Sequence, residues 1–468
     1  MVVTSGYHIL YYIYYSKGRF MNNKIKEIDN EIFFLSEIKN IINWDSDFVS
    51  TNKNNKDKIE IINYINKQRN EKIKRIIEDS NIILNAEEKI FFNELQIDYI
   101  VNNNSPELEA KLNETIFNLK NKYAIARNNK DFSLLLNEFS IFIDCYIAFF
   151  NKKELIGQTT YEKAFNCFYQ KVSYKTFKDI VYSLKESLPE YSSSIKTYCE
   201  TKPTEKNELI LIELQRLFNV EMDVISFHKD DNNSLDFLSK SDIRITLNYN
   251  VNNYMFIKSF LHEYGHALYL LNISDDIHLK CLQLPFSKEF DEGNAKFMEK
   301  LLENQKFKKY FEIKFGIGLN PIYDNSSRIT SNSIDYLKLC VARVIIEEDL
   351  LNNRITVFQV KDKWKKEIKR LFGDKLIIVD DSLILDDPHW FFGQLFYYQS
   401  YILSYIYTQN LYKLSLNKLD YTKIDKQEFY EDLKSFLRNF QMYGKTKNIE
   451  DIFSEKYGIK IDYSITFK

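Results

Sequence analysis

Two histidines four residues apart, in His262-Glu-Tyr-Gly-His266, constrain this 468-residue chain more than any other feature. On a helix that spacing puts both imidazoles on one face, the pair a zinc ion needs. The surrounding run from Phe256 to Leu271 is largely apolar, so this helix has to be packed against other elements. The chain has six histidines, and composition alone would give the pattern about once in a hundred such chains. The pair supplies two ligands of a zinc site, with Glu263 aimed at a water the ion would activate. A helix carrying two ordinary surface or core histidines is the alternative.

A zinc ion that acts on a substrate needs a third protein ligand and an open fourth position. Downstream of His266 the candidates are His278, Asp275, Asp276, Glu289, Asp291, Glu292 and Glu299. From Lys288 onward, Phe290, Phe297 and Leu301, with Met298 and Leu302, recur at helical spacing. Glu292 lies off that stripe, with Ala295, Lys296 and Glu299 on its own side. A glutamate from a second helix packed on the first is a workable ligand; a solvated helix face is the alternative. Given an ion, Glu263 is placed to act as general base and then general acid. The oxyanion of a tetrahedral intermediate needs a further donor. Candidates are His389, in Asp386-Asp-Pro-His-Trp, and Tyr397, Tyr398 and Tyr401, for all of which a purely structural role is the alternative.

The fold around these residues reads as mostly helical. Glycine (11) and proline (6) fall far below their usual share of roughly 7% and 5%, which favours long helices and short connections. Apolar residues at helical spacing predict helices over Ile25–Ile42, Lys56–Glu78, Glu87–Val101, Glu107–Asn128, Phe132–Phe150 and Tyr174–Leu188. Asp242 to Tyr249 alternates polar and apolar residues and predicts a strand. Asn250, Asn252 or Asn253 then caps the histidine helix. A second extended piece is expected over Lys375–Val379 with Leu383–Leu385, and helices over Phe392–Tyr412 and Lys426–Tyr443. Trp390 to Tyr412 carries no charged residue but is studded with Gln, Ser, Thr and Asn, which favours a buried helix over a membrane span.

A net charge of −2 with evenly scattered signs gives no basic footprint for nucleic acid. The cysteines at 145, 167, 199, 281 and 340 are odd in number and form no Cys-x-x-Cys pair, which fits unpaired thiols in a reducing, cytoplasmic compartment. The apolar segment Tyr7–Tyr15 is short and lacks a cationic lead, unlike a signal peptide. Residues 1–20 are read as an N-terminal extension, Met21 being an alternative start, and residues 21–468 as one domain.

Taken in order, these motifs resemble those of the carboxypeptidase Taq family of zinc metallocarboxypeptidases. Asp242-Ile-Arg244-Ile-Thr246 stands where that family has DxRxT before its HExxH. Glu292-Gly-Asn-Ala-Lys-Phe-Met-Glu299, starting 26 residues after His266, stands at the HESQ-type motif that bears the third ligand. Ala342-Arg343-Val-Ile-Ile-Glu347 partly matches IRxxAD, and Asp387-Pro-His389-Trp390 matches the end of GxxQDxHW. Phe396-Tyr397-Tyr398-Gln-Ser-Tyr401 resembles GYFPTY, while Ile42-Asn-Trp44-Asp45 and Ala126 to Phe132 resemble early family motifs. The departures are Gly293 and Asn294 after the third ligand, Ile346 and Glu347 in IRxxAD, and Leu383 and Asp386 in GxxQDxHW. Leu235-Asp-Phe237 occupies the place of a family His-Pro-Phe.

The resemblance implies a single zincin-like helical domain with a deep substrate groove and a small antiparallel sheet next to the active-site helix. It implies one divalent ion, Zn2+ with Co2+ or Mn2+ as alternatives, held by His262, His266 and Glu292. The substrates are then peptides with a free C-terminus, gripped through the terminal carboxylate by Arg343. Arg244 and Asp242, with Asp387 opposite, would close one end of the groove. A homodimer is carried over as well, while the reading of no membrane partner rests on the polar residues of Trp390–Tyr412. For Arg343, an i,i+4 pair with Glu347 is the alternative. Two rival functions are a thimet-like oligoendopeptidase, which shares HExxH and a glutamate ligand, and a metal-free binding scaffold of the same fold.

Overall fold

The computed structural model describes residues 23–44, 56–78, 84–102, 106–188, 197–198, 206–231, 233–319, 323–324, 334–373, 380–386 and 388–464. The N-terminal half opens with α1 (Asn23–Trp44), α2 (Lys56–Ile77), α3 (Ala86–Asn102) and α4 (Pro106–Asn129). A 3-10 turn at Phe132–Leu135 leads into α5 (Leu136–Phe150), followed by α6 (Thr160–Phe168) and α7 (Tyr174–Ser187). All but α6, which the periodicity does not single out, match the periodic segments to within a few residues. The first turn of the Phe132 segment tightens because Asp131 caps it, its side chain accepting from Ser133 N.

The second half begins with the two-residue strand β1 (Thr197–Tyr198) and α8 (Asn207–Leu217), then β2 (Ile225–Lys229), β3 (Ser234–Ser239) and β4 (Asp242–Leu247). The histidine helix is α9 (Asn253–Asn272), followed by α10 (Lys288–Glu299) and α11 (Gln305–Phe315). After β5 (Tyr323–Asp324), which pairs with β1, come α12 (Ile334–Leu351), α13 (Val360–Phe372) and the single turn α14 (Ser382–Leu385). The chain closes with α15 (Tyr397–Ser415), α16 (Gln427–Gln441) and α17 (Ile449–Tyr457).

The sheet departs from the antiparallel expectation. Its order is β2-β4-β3, with β3 antiparallel to β4 but β2 parallel to it, so the sheet is mixed. The β3–β4 hairpin turns tightly at Ser239–Asp242, and β4 inserts between the two earlier strands. Burial explains its central place: Ile243, Ile245 and Leu247 are fully buried, a face too apolar for an edge. That face lies against α9, and on β2 Phe227 stacks on Phe260 with ring centres 5.9 Å apart.

Two other expectations are corrected. Leu383–Leu385 is helical, not extended, because the Asp380 carboxylate accepts from Ser382 N and Asp381 O accepts from Leu385 N. Lys375–Val379 lies outside the described residues, as do residues 1–20, Asp45, Cys199 and Asp387. The helix expected from Phe392 starts only at Tyr397. Gly393 and Phe396 both adopt positive φ, +80° and +64°, and separate the 3-10 turn His389–Phe392 from α15. For Phe396 this is a strained conformation, costing about 1–3 kcal/mol. It is held by rings on two sides, Phe168 (5.1 Å) and Tyr161 (5.0 Å), and its carbonyl accepts from the Tyr169 hydroxyl.

The uncharged run does form a buried helix. Along α15 the donors of the interior polar side chains find partners: Gln399 donates to Glu347 and Tyr161, Thr408 to Gly293 O, and Asn410 to Asp462 O, while Gln399 Oε1 accepts no bond from the described residues. Those bonds remove the cost of burying unpaired polar atoms.

Candidate metal centre

Three helices build the site. Asn252 caps α9, its side-chain oxygen accepting from Met255 N, and Phe256, Phe260, Leu261, Tyr264 and Leu268 bury the helix on its apolar sides. Each such side chain contributes roughly 1.5–3 kcal/mol. Ser287 caps α10, with Glu289 and Asp291 in its first turn where the helix dipole favours acids. The helices come close through glycine. A Cβ on Gly265 would stand 2.8 Å from the Ala295 Cα of α10, and one on Gly293 would stand 2.9 Å from the Tyr407 Cβ of α15. Gly293, a departure from the family motif, is therefore what lets α15 lie against α10. Asn294, the second departure, is fully buried, donates to Phe290 O and accepts from Gln441.

That packing brings His262, His266 and Glu292 together, with one ligand atom from each lying within 4.8 Å of the others. His262 Nε2 and His266 Nε2 are 3.3 Å apart, and Glu292 Oε2 is 3.8 Å from His262 Nε2. The Nδ1 atoms point the other way. His262 Nδ1 hydrogen-bonds Glu299 Oε1 at 2.7 Å, and His266 Nδ1 lies 2.9 Å from Asp291 Oδ1. With a carboxylate beside each Nδ1, the two Nε2 atoms face one point, an arrangement that a shared proton or a cation resolves. The Nε2 separation also matches the edge of a tetrahedron with metal–nitrogen bonds of about 2.0–2.1 Å. The donor set fits a divalent ion.

The charges are correspondingly displaced. Burial opposes protonation of both histidines, yet Glu299 raises His262 above its ordinary range and Asp291 pushes His266 up to about 10. Burial raises Glu263. It acts on Glu292 too, but His266 and His262 outweigh it and hold that carboxyl below its usual value. Glu299, against the same burial, is pulled to about 2 by Lys258, 3.4 Å away, and by His262.

The cluster lines a cavity of about 600 Å³ whose walls include Glu263, Leu235 and Phe237 of β3, Leu284 and Pro285, Lys296, and Tyr397 and Tyr401 of α15. A second cavity of about 490 Å³ shares Leu284 and Pro285 with it. Of the donor candidates, Tyr397 and Tyr401 are therefore on the wall. His389 stands behind them, its ring 4.0 Å from that of Tyr397. Tyr398 is fully buried and perpendicular to Trp390, away from the cavity.

The residues expected to handle the substrate lie elsewhere. Arg343 is 1% exposed and does not line the cavity. Its guanidinium sits about 5 Å from the rings of Trp364 (5.0 Å), Trp390 (4.9 Å) and Tyr398 (5.0 Å) and donates to Ile384 O. Glu347, its i+4 neighbour, accepts from Trp390 Nε1 and Gln399 Nε2, both at 2.6 Å. Arg343 is thus a buried arginine caged by aromatic rings, outside the lining of the metal cavity. Arg244 pairs bidentately with Asp242 (3.0 and 2.7 Å) and lies 4.1 Å over Trp44. In the strand register Arg244 faces the side opposite Ile243 and Ile245, whereas Leu235 and Phe237 share their side and reach the cavity. Neither Arg244 nor Asp242 lines the cavity.

Sequence reasoning assigned no role to Lys258 and counted Asp291 and Glu299 as rival ligands. The available signal was spacing: Glu299 is seven residues, two helical turns, after Glu292, and Lys258 is one turn before His262. The other ligand candidates stand apart, His278 against Glu87 and Glu289 in the second cavity.

Known proteins give the arrangement its context. Residues 24–466 match the model of the family described as carboxypeptidase Taq (M32) metallopeptidase. Carboxypeptidase 1 of Bacillus subtilis is 23% identical over 473 aligned residues, which cover 91% of this chain and 92% of that protein. Among solved structures, Trypanosoma cruzi metallocarboxypeptidase 1 superposes with a TM-score of 0.80 at 16% identity, covering 94% of this chain and 96% of that one. The Pyrococcus furiosus carboxypeptidase gives 0.79 at 17% identity, over 95% and 97%. At such identities the structures speak for the fold alone. The family match, however, spans nearly every described element, and on it the chain belongs to the carboxypeptidase Taq (M32) metallopeptidases.

Proposed function

We propose that the protein is a zinc-dependent carboxypeptidase that releases single residues from the free C-terminus of peptides, with His262, His266 and Glu292 as ligands and Glu263 as general base. The observation that carries the reading is the convergence of both Nε2 lone pairs and the Glu292 carboxylate on one point in a peptide-sized cavity. Two imidazoles and a carboxylate suit Zn2+, and also Co2+ or Mn2+. A divalent ion bound there supplies Lewis-acid polarisation of the scissile carbonyl and acidification of water. Glu263, one residue along from His262 and on the same cavity wall, takes the proton of the attacking water and delivers it to the leaving amine. Its buried carboxyl is raised above the ordinary value, the direction a proton carrier at neutral pH needs. Tyr397 and Tyr401 offer hydroxyls to the developing oxyanion, and His389 packs behind Tyr397 to fix its ring.

The reading also takes the protein as cytoplasmic, homodimeric and without nucleic-acid or membrane partners. The free thiols of Cys145, Cys167, Cys281 and Cys340 support a reducing compartment, and light scattering tests the dimer. The catalytic assignment is tested by Glu263→Gln and Glu292→Gln, each read for metal content and turnover. Glu263→Gln is expected to keep the metal and lose about 10²–10⁴-fold in kcat, and Glu292→Gln to lose the metal. Full turnover by Glu263→Gln would exclude it as the base.

A further inference from the structure

The metal cavity is walled by four carboxylates, those of Glu263, Asp291, Glu292 and Glu299. Against them stands one basic side chain: Lys296 is the only lysine or arginine among the described residues lining it. A substrate carboxylate entering such a cavity loses its water and meets walls of its own sign, unless a cation waits inside. With Arg343 caged elsewhere, the charge distribution singles out Lys296.

Its setting is that of a held donor. Lys296 lies one helical turn beyond Glu292 on α10 and is 8% exposed. Its ammonium donates to Ser404 Oγ at 2.9 Å, and Ser404 in turn donates to Tyr401 O, so the hydroxyl's orientation is fixed. The ring of Tyr401, on the cavity wall, lies 4.5 Å from the ammonium. An ammonium has three N–H donors, and the Ser404 bond uses one. The nearby anions have other partners: Glu292 faces the two Nε2 atoms, and Glu299 holds both His262 Nδ1 and Lys258. Lys296 is thus a buried cation whose charge the surrounding ion pairs do not absorb, set beside the tyrosines that border the reacting centre.

We propose that Lys296 is the carboxylate-docking cation of this cavity, resting on the carboxypeptidase reading above. The carboxylate is that of a peptide, supplied by its C-terminus or by an acidic last side chain. The test uses one peptide ending in Ala and one ending in Glu, each as free acid and as amide, with metal-replete wild type, Lys296→Met and Lys296→Arg. Binding is measured by calorimetry in the Glu263→Gln background, and KM and kcat in the active proteins.

Lys296→Met is expected to weaken free-acid binding by about ten- to a hundredfold, the worth of a charge-assisted hydrogen bond, at unchanged metal content. Lys296→Arg restores part of it. A loss seen with both free acids identifies the terminal carboxylate as the ligand. A loss confined to the Glu-ending peptides, amide included, identifies the side chain. If wild type favours free acids and Lys296→Met keeps that preference and affinity, Lys296 is not the docking group and the carboxypeptidase reading stands. If wild type treats acid and amide alike, that reading itself fails. Should Lys296→Met lose its metal, Ser404→Ala, which removes only the anchor of the ammonium, is expected to raise KM for free acids several-fold with kcat kept. No change there overturns the proposal.

Discussion

Two carboxylates and one arginine show how differently single residues can be read. Asp291 and Glu299 were visible as acids near the histidines, but nothing in their spacing said whether they would touch the ion or the far side of each imidazole. The helix–helix contact through Gly265 decides it, by presenting Nδ1 rather than Nε2 to them. Glu299→Gln and Asp291→Asn are expected to lower metal affinity about 10–100-fold while leaving the three ligands in place, as competition with a chelator would show. Arg343 shows the opposite case: motif position implied a groove, whereas its surroundings of Trp364, Trp390 and Tyr398 come from segments far apart in sequence. Arg343→Met is expected to cost about 1–3 kcal/mol in chemical denaturation, since it leaves the Ile384 carbonyl without its donor, with no change in preference for free-acid peptides. Glu347, one turn further along the same helix, is pushed up to about 7 by burial, above the ordinary 4.5. Its stabilisation is complete below pH 4.5 and is lost as pH rises through 7. Denaturation of Glu347→Gln at pH 5 and pH 7.5 is therefore expected to show a smaller loss of stability than wild type.

At the scale of elements, helices were legible wherever an apolar stripe ran for three turns or more, which is why α1 to α5 and α9 match their periodicity. What escaped was set by contacts between elements. The parallel pairing of β2 depends on α9 receiving the β4 face, and the late start of α15 depends on an aromatic clamp around Phe396. The two glycines are the element-scale test. Gly293→Ala puts a methyl group against Tyr407 and Ser404 O of α15, and Gly265→Ala puts one against the α10 backbone at Ala295. Helix propensity alone would favour alanine by up to about 1 kcal/mol. The clash outweighs it, and a net loss of about 1–2 kcal/mol is expected, together with weaker metal binding in Gly265→Ala, where α9 and α10 are forced apart. Gain of stability in either variant would contradict the close packing described.

For the whole molecule, the ion completes a charge arrangement the fold does not balance alone. Glu263, Asp291, Glu292 and Glu299 crowd one cavity with Lys296 and two histidines raised above their ordinary values. Any ion that binds the folded chain but not the unfolded one stabilises it by about 2.7 kcal/mol at a hundred times its Kd. Chelation is accordingly expected to lower the melting temperature, and zinc to restore it. Identical melting curves with and without chelator would count against an ion at this centre. A second cavity shares Leu284 and Pro285 with the one at this centre. The most direct measurement is a timed digestion of one peptide with a free and with an amidated C-terminus, followed by mass spectrometry. A ladder of single-residue losses from the free acid, with the amide resistant, is the expected result. Internal cleavage of both forms at equal rates would contradict the account and indicate an oligoendopeptidase.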